Sequence, residues 1–282
     1  MGTKGSQSSS CRTECEIPRR VKPCSTNAEL QYPVGPDHHG AVIGPAALGI
    51  FFVDAAPVEP HPGLPGQGGQ TLEGGAAGHL LGVPLHLHPP VGDALGQGGR
   101  PYNCTMVIRP DGTLAAKYRK LHPFDVTVPG GGQMRESSQI CPGDAIVTVD
   151  AGELGTWGLS VCYDLRFGEL YRIMALEGAQ VLFVPANFTL NTGKDHWEVL
   201  LRARAIENGC YVVAPEQFGP GPEFPAYGRS MVVDPWGNVV AQAPDRPGVI
   251  LADIDLDYVE EIRRKVGTLA NRRADRYRLE RV

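Results

Sequence analysis

The sequence of 282 residues has no long hydrophobic run and no excess of positive charge. Because a membrane-spanning helix needs about 20 consecutive apolar residues, no segment is predicted to cross a bilayer. The 26 basic and 31 acidic residues give a net charge of −5, which argues against nucleic acid or an anionic membrane as a partner. Residues 1–10 are polar and lack the apolar core of a secretion signal. The composition therefore predicts a cytoplasmic protein.

Paired cysteine motifs are also absent from the sequence. The seven cysteines are scattered, which favours reduced thiols over a disulfide framework. His86 and His88 are crowded by prolines and make a weak ligand pair. The spacing of five further candidates near the N-terminus matches no paired zinc-binding pattern: Cys11, Cys15, Cys24, His38 and His39. No metal site is predicted.

The first hundred residues differ in composition from the rest of the chain. Glycine and proline account for 19 of the 42 residues from 60 to 101, a composition that cannot easily bury a core. Residues 48–53 form the one convincing strand pattern before this segment, and residues 82–88 are a candidate for a second. The pattern changes at Tyr102. We therefore predict an atypical Gly/Pro-rich region with little structure at residues 1–101 and an α/β domain at residues 102–282.

Within the predicted α/β domain, strand and helix patterns alternate. The predicted strands cover residues 105–109, 114–119, 156–161, 181–184, 210–214, 229–234, 239–243 and 249–254. The predicted helices begin at residues 169, 196 and 257. In the middle helix Glu198 and Arg202 are paired at i,i+4, and Gly209 ends it.

One cysteine lies between an apolar run and a predicted helix. Residues 156–161 have the β-branched and aromatic content of a buried strand, Cys162 follows, and helical periodicity begins at Glu169. The N–H groups of a turn and a nearby helix N-terminus both favour a thiolate over a thiol. The alternative is an inert core residue, since free cysteine is among the most buried residue types. Local context alone leaves both interpretations open.

Four segments carry family-like motifs: residues 118–122 (YRKLH), 158–169 (GLSVCYDLRFGE), 196–207 (HWEVLLRARAIE) and 227–237 (YGRSMVVDPWG). In this order they resemble motifs of the nitrilase, or carbon-nitrogen hydrolase, superfamily, closest to the omega-amidase and deaminated-glutathione amidase branch. The resemblance covers about residues 102–279. It implies an αββα sandwich, hydrolysis of non-peptide C–N bonds without metal or organic cofactor, and a homodimer or larger homo-oligomer.

The resemblance also assigns catalytic roles. Cys162 would attack an amide carbon to form a thioester, and Lys120 would stabilise the oxyanion with the backbone N–H of Tyr163. This chemistry requires an activated thiol, donors where negative charge develops, and a carboxylate that moves protons. Glu136, sixteen positions after Lys120 (136 − 120), matches a second glutamate that orients lysine and substrate in the amidase branch.

The implied substrate is the terminal amide of a small carboxylate-bearing compound, which the enzyme would convert to an acid and ammonia. Tyr163, Arg166 and Asn187 are the predicted substrate-binding residues. Arg166 or Arg229 would bind the carboxylate, because a guanidinium matches it bidentately. The alternative for either arginine is a structural ion pair.

The general-base glutamate of the family, typically in a Pro-Glu dipeptide after an early strand, has no clear counterpart. Glu59 is the nearest stand-in, 61 positions before Lys120 (120 − 59), but its sequence context differs. Either residues 1–101 come from a wrong reading frame or gene model, or the chain is a divergent, catalytically impaired member. A pseudoenzyme with a binding role and an N-carbamoyl amide hydrolase stay open. A Cys-His hydrolase is disfavoured because His122 and His196 have no evident orienting partner.

Overall fold

The computed structural model describes residues 96–109, 112–127, 132–221, 224–246 and 248–282, and the backbone of three short strands at residues 49–53, 78–80 and 83–85. All described elements lie in one compact unit. The predictions for the N-terminal cysteines, for Glu59 and for His86 and His88 fall outside the described residues.

The described strands are β1 (Gly49–Val53), β2 (Gly78–Leu80), β3 (Val83–Leu85), β4 (Cys104–Ile108), β5 (Leu114–Arg119), β6 (Asp125–Thr127), β7 (Gln133–Arg135), β8 (Val147–Asp150), β9 (Thr156–Leu159), β10 (Val181–Phe183), β11 (Tyr211–Ala214), β12 (Phe218–Gly219), β13 (Ala226–Tyr227), β14 (Met231–Val233) and β15 (Val239–Gln242). The α-helices are α1 (Gly168–Leu176), α2 (Leu190–Asn208) and α3 (Leu256–Val266). Short 3-10 helices cover Gln97–Gly99, Glu136–Ser138, Gly152–Leu154 and Cys162–Arg166.

A six-stranded mixed sheet, in the order β15-β14-β11-β10-β9-β8, forms the centre of the fold. Its strands β9, β10 and β11 are parallel, and the outer strands pair antiparallel with their neighbours. Side chains of successive strand residues point to opposite faces. Accordingly, Val181 and Phe183 of β10 join one apolar cluster and Leu182 joins the other. The sheet is therefore covered on both sides.

Helices α1 and α2 cover one face of this sheet. Met174 of α1 and both Trp197 and Leu201 of α2 are buried in the same cluster as Leu182. The helix α2 begins six residues before its predicted start (196 − 190), because the Thr189 hydroxyl accepts the N–H of Thr192 and caps it. It ends as predicted at Gly209, which is left-handed with φ 57°.

A three-stranded antiparallel sheet, β1-β4-β5, packs against the other face. Its strands confirm the predictions of a strand at residues 48–53 and of a hairpin after residue 104. Val107 and Tyr118 join the central apolar cluster, and the Thr105 hydroxyl donates to the Ser160 carbonyl at 3.0 Å. The second sheet therefore places the end of β5 beside the end of β9.

The predicted strand at residues 249–254 is wrong. Ile250, Ala252 and Ile254 do pack toward the apolar cluster on one side, which accounts for the alternating pattern. No strand in the described part of the chain pairs with them, and the six-stranded sheet ends at β15 on one side and at β8 on the other. A sequence alternation of period two reports burial of one face, whereas a strand also needs a hydrogen-bonded neighbour. Among the described helices, none combines the length and the apolar character needed to cross a membrane.

Candidate active site

Cys162 lies in the turn between β9 and α1 with an unusual backbone. Its φ of 50° is in the left-handed region, which is uncommon for a residue other than glycine and is stored strain. Its N–H donates to the Pro185 carbonyl at 2.7 Å, and its Sγ lies 3.7 Å from the Asn187 carbonyl oxygen. The segment after β10 therefore fixes both the backbone and the sulfur of Cys162.

The buried surroundings of Cys162 oppose the effect that the turn alone would have on its thiol. Although the residue is partly exposed, desolvation of its sulfur raises the pKa of Cys162 to about 11, and the Lys120 ammonium lowers it only in part. The residue also begins a 3-10 helix rather than α1 itself. Because the neutral thiol is favoured, nucleophilic attack requires a group that takes the proton.

Lys120 follows β5 and is buried, with 2% of its surface exposed. Its Nζ donates to Glu136 Oε2 at 2.5 Å, and its own N–H donates to the Asn103 carbonyl at 2.8 Å. Burial disfavours the ammonium, but the electrostatic interactions of Lys120 with Cys162 and Glu136 and its hydrogen bond to Glu136 outweigh burial and raise the pKa of Lys120. The site therefore contains a fixed cation, not the solvated lysine that a strand end alone suggests.

Glu136 holds this cation from a separate segment. Its Oε2 also accepts the backbone N–H of Phe124, and its Oε1 accepts Asn103 Nδ2 at 3.4 Å. Its side chain is 23% exposed, so the carboxylate lies between the buried Lys120 and the surface. Three donors thus fix Glu136 in contact with Lys120, as its predicted orienting role requires.

Asp164 links the cysteine turn to the end of β5, and the sequence analysis missed it. It is fully buried, and its Oδ2 accepts the Tyr118 hydroxyl at 2.7 Å and the Val161 N–H at 2.8 Å. Its Oδ1 lies 2.7 Å from His122 Nδ1 and accepts the His122 N–H at 3.2 Å. All four contacts lie in two of the recognised motifs, but nothing in their spacing indicates that the motifs touch.

The two histidines do have orienting partners, contrary to the sequence argument. His122 contacts Asp164 and stacks on Phe167, with 3.7 Å between ring centroids. His196 Nδ1 lies 3.2 Å from Arg166 Nη1. No hydrogen bond within the described residues joins either imidazole to the Cys162 sulfur. Because both histidines have orienting partners, the sequence argument against a Cys-His pair does not hold. The argument that does hold is the missing hydrogen bond between either imidazole and the Cys162 sulfur among the described residues.

The two candidate arginines differ in their partners. Arg229 forms a bidentate pair with Asp245, at 2.6 and 2.8 Å. The Arg166 guanidinium lies over the rings of Phe188 and Tyr163, 5.4 and 5.9 Å from their centroids, and pairs with no carboxylate of the described residues. The structural ion pair thus applies to Arg229, and Arg166 keeps its capacity for an anionic ligand.

Two buried acceptor atoms near the cysteine make no hydrogen bond with any described group: Asn187 Oδ1 and Glu216 Oε2. Glu216 is 1% exposed, and its Oε1 accepts the Phe188 N–H at 2.7 Å. Burial raises the pKa of Glu216 well above its ordinary value, and the Phe188 N–H offsets only part of this. Glu216 belongs to none of the recognised motifs, so sequence reasoning missed it.

Helix α2 supports the cysteine turn through a buried arginine. Arg204 is 7% exposed and donates two hydrogen bonds to the Leu165 carbonyl, at 3.1 and 2.8 Å. A Cβ added at Gly168 would lie 3.2 Å from Arg204 Nη1, so a larger residue there would require the guanidinium to shift slightly. Within the described residues, no cluster of three or more His, Cys, Asp or Glu side chains could hold a metal ion.

A comparison with protein families identifies the class to which this fold and this set of side chains belong. The family model for carbon-nitrogen hydrolase matches residues 82–264, which is 183 of 282 residues (264 − 82 + 1). The chain therefore belongs to the carbon-nitrogen hydrolase family. The match begins 20 residues before the boundary predicted at Tyr102 (102 − 82).

Individual relatives narrow the branch. The chain is 46% identical over 179 residues to the deaminated glutathione amidase of Synechocystis sp. (strain PCC 6803 / GT-S), covering 63% of this chain and 66% of that protein. It is 43% identical over 183 residues to omega-amidase NIT2 of Homo sapiens, covering 64% and 66%. The crystal structure of the C. elegans NitFhit protein matches with a TM-score of 0.61 and 48% identity, over 64% of this chain and 44% of that one. The chain spans less than two thirds of the length of each relative. The predicted superfamily, branch and nitrilase-type α/β fold are confirmed.

Proposed function

We propose that this protein is an amidase that hydrolyses the terminal amide of a small carboxylate-bearing compound to an acid and ammonia, through a thioester on Cys162. The observation that carries the proposal is the buried Lys120 ammonium, held at 2.5 Å by Glu136 and close enough to Cys162 for their charges to interact. A desolvated cation beside a buried thiol suits a reaction in which negative charge develops at that point.

The proposed first step is attack of the Cys162 sulfur on the amide carbon. The oxygen that becomes negative would be stabilised by Lys120 Nζ and by the Tyr163 N–H. As the second residue of the 3-10 helix Cys162–Arg166, Tyr163 carries an N–H without an acceptor inside that helix. Ammonia then leaves, and water hydrolyses the thioester to release the acid and restore the thiol.

Arg166 is proposed to bind the carboxylate of the substrate. Its guanidinium is held over two aromatic rings and pairs with no carboxylate among the described residues. Asn187 is proposed to contact the amide, because its carbonyl lies 3.7 Å from the Cys162 sulfur and its Oδ1 has no partner among the described groups. The names of the two amidase relatives support the same substrate class.

The test is ammonia release from a panel of half-amides of short dicarboxylic acids, with Cys162→Ala as control. Rapid quenching and mass spectrometry of the intact protein are expected to detect an acyl adduct in the wild type and none in the variant. Wild-type turnover no greater than that of Cys162→Ala would contradict the amidase and favour a pseudoenzyme. Turnover confined to N-carbamoyl amides would move the proposal to that neighbouring class of substrate.

We further propose a homodimer or larger homo-oligomer in the cytoplasm. Val199 and Ile206, seven positions apart on one face of α2, are 66% and 45% exposed. Trp236, which is 53% exposed, precedes Gly237, and Gly237 approaches Ile206. Such an apolar group on a surface favours contact with another protein. Light scattering of the wild type and of Val199→Lys tests this, since a charge in the contact is expected to lower the measured mass.

The division of the chain is part of the same proposal. Residues 102–282 are proposed as the hydrolase domain, preceded by an atypical region at residues 1–101. Translation of the parent DNA in its other frames tests the origin of that region. A strand followed by Pro-Glu in another frame would support a frame or gene-model error, and its absence from every frame would contradict one.

A further inference from the structure

The backbone of Glu216 is fixed next to the segment that contacts the cysteine. The Glu216 N–H donates to the Ser230 hydroxyl at 2.8 Å, and that hydroxyl donates to the Glu216 carbonyl at 3.2 Å. Glu216 also forms a parallel bridge with Ala186. Ala186 lies between Pro185 and Asn187, whose carbonyl groups contact Cys162. The segment 185–187 therefore contacts both the Glu216 backbone and Cys162.

One oxygen of this carboxyl is left without a partner. Oε1 accepts the Phe188 N–H, whereas Oε2 is buried and makes no hydrogen bond with a described group. No lysine or arginine of the described residues pairs with Glu216. Glu136, by contrast, is paired with Lys120. Because an unsatisfied buried polar group is costly, such groups call for a ligand or a catalytic role.

Two further observations connect the carboxyl to the reacting centre. The negative charge of Glu216 acts on the Cys162 thiol and opposes its ionisation, so the two groups are close enough for their charges to interact. Asn187 Oδ1, a second buried acceptor without a described partner, belongs to the same segment as the Asn187 carbonyl beside the sulfur. Two acceptors beside a nucleophile fit a ligand atom that carries N–H groups.

We propose that Glu216 is the proton donor to the nitrogen that leaves the substrate, and that Asn187 Oδ1 accepts an N–H from the same nitrogen. This inference rests on the proposed amidase function and adds a residue to it. Glu216 is then a catalytic residue for cleavage of the C–N bond, and the substrates are primary amides.

The proton balance uses one proton shared by Cys162 and Glu216. The sulfur attacks as the thiolate while Glu216 is protonated, and the carbonyl electrons move to oxygen. The C–N bond then breaks with its electron pair on nitrogen, which takes the Glu216 proton as the C=O bond re-forms. Ammonia, a thioester and a Glu216 carboxylate result. Water attacks the thioester, Glu216 takes its proton, and sulfur leaves as the thiolate with release of the acid.

The decisive variant is Glu216→Gln, because it keeps the shape of the side chain and an oxygen that can accept the Phe188 N–H. The NH2 group then replaces Oε2, so no acidic proton is available there. Two substrates with one acyl group are compared: the half-amide of a short dicarboxylic acid and the p-nitrophenyl half-ester of that acid. The amide nitrogen needs a proton to leave, whereas p-nitrophenolate leaves as an anion.

We expect Glu216→Gln to lower kcat/KM for the amide about 10²- to 10⁴-fold, the usual contribution of general acid–base catalysis. The pre-steady-state burst of p-nitrophenolate from the ester is expected to fall much less, because the ester uses Glu216 only to accept the thiol proton, whereas the amide also needs a proton on its leaving nitrogen. Glu216→Asp, which retains an acidic group, should recover part of the amide activity even if the glutamine variant folds poorly. The matched control is Glu261→Gln on α3, where an exposed side chain undergoes the same change.

The outcomes separate the inference about Glu216 from the proposed amidase function. An equal loss with amide and ester would assign Glu216 a structural role and overturn the inference, as would an unchanged amide rate. Both results leave the amidase function in place. A wild type that releases neither ammonia nor p-nitrophenolate would overturn the proposed function itself, and the inference with it.

Discussion

Asp164 and Glu216 are both buried near Cys162, but their hydrogen bonding differs. Asp164 is contacted by four groups: the Tyr118 hydroxyl, the Val161 N–H, and the N–H and ring nitrogen of His122. Glu216 accepts the Phe188 N–H on one oxygen and makes no bond with a described group on the other. The first carboxyl is therefore fully used by the fold, whereas the second keeps bonding capacity for a ligand or a proton.

This difference separates an anchoring region from a reactive region. The anchoring region joins the end of β5 to the cysteine turn through Asp164, Tyr118 and His122. The reactive region contains Cys162, with its strained φ of 50°, and Glu216, one oxygen of which has no partner among the described residues. Strain and unmet hydrogen bonds each cost on the order of 1–3 kcal/mol. Substitutions in the anchoring region should therefore lower stability first, and substitutions in the reactive region should lower activity first.

Besides Glu216→Gln, the largest effect on activity is expected for Lys120→Met, which belongs to the reactive region through its contact with the Cys162 site, keeps the length of the side chain and removes its charge. We expect kcat for amide hydrolysis to fall about 10²- to 10³-fold, the usual result of removing one oxyanion donor. Lys194→Met provides the control, because Lys194 is exposed on α2 and should be replaceable without effect. A Lys120→Met enzyme with the wild-type rate would contradict the proposed role of Lys120 in stabilising the oxyanion.

Asp164→Asn tests the anchoring region. One asparagine NH2 must face a backbone N–H, either of Val161 or of His122, so at least one hydrogen bond becomes a repulsive contact. We expect the free energy of unfolding in urea to fall by about 2–4 kcal/mol. Asp245→Asn is the control, since this exposed carboxylate should contribute little to stability. If Asp164→Asn kept wild-type stability but lost activity, the two regions would not be separate.

Glu216→Gln has a separate consequence for the pH dependence of stability. Burial raises the Glu216 pKa above the ordinary value of 4.5, so the folded chain holds this proton more tightly than the unfolded chain. The resulting stabilisation is complete below pH 4.5 and is lost as pH rises toward the folded pKa. The stability of the wild type relative to Glu216→Gln should therefore decline above that pH, by at most about 1.4 kcal/mol per pH unit.

Urea denaturation of both proteins between about pH 5 and pH 8 measures this difference in the free energy of unfolding. Titration of a single carboxyl within that range is large enough to detect. Two parallel stability curves would mean that Glu216 titrates alike in the folded and unfolded chains. The contrast with Asp164 would then be one of geometry only.

The sequence predicted the elements that carry the site better than it predicted the environment of the site. The hairpin before Lys120 and the strand before Cys162 follow from local composition and turn signals, and the structure has both. The Cys162 pKa could not be predicted from the turn, because desolvation by distant segments exceeds the local effect. The Glu216 carboxyl accepts the N–H of Phe188, which lies 28 positions earlier in the chain (216 − 188), and no local pattern encodes this contact.

The smallest effect is expected for Tyr118→Phe, which removes one of the four contacts to Asp164 and also the acceptor of the Leu121 N–H. Desolvation raises the pKa of Tyr118, so its hydroxyl stays a donor throughout the range in which the protein can be studied. We expect a loss of about 1–2 kcal/mol in the free energy of unfolding, less than for Asp164→Asn because three contacts remain. Tyr277→Phe, at an exposed ring, is the control and should leave stability unchanged. A loss as large as that of Asp164→Asn would mean that the Tyr118 hydroxyl alone holds the cysteine turn to β5.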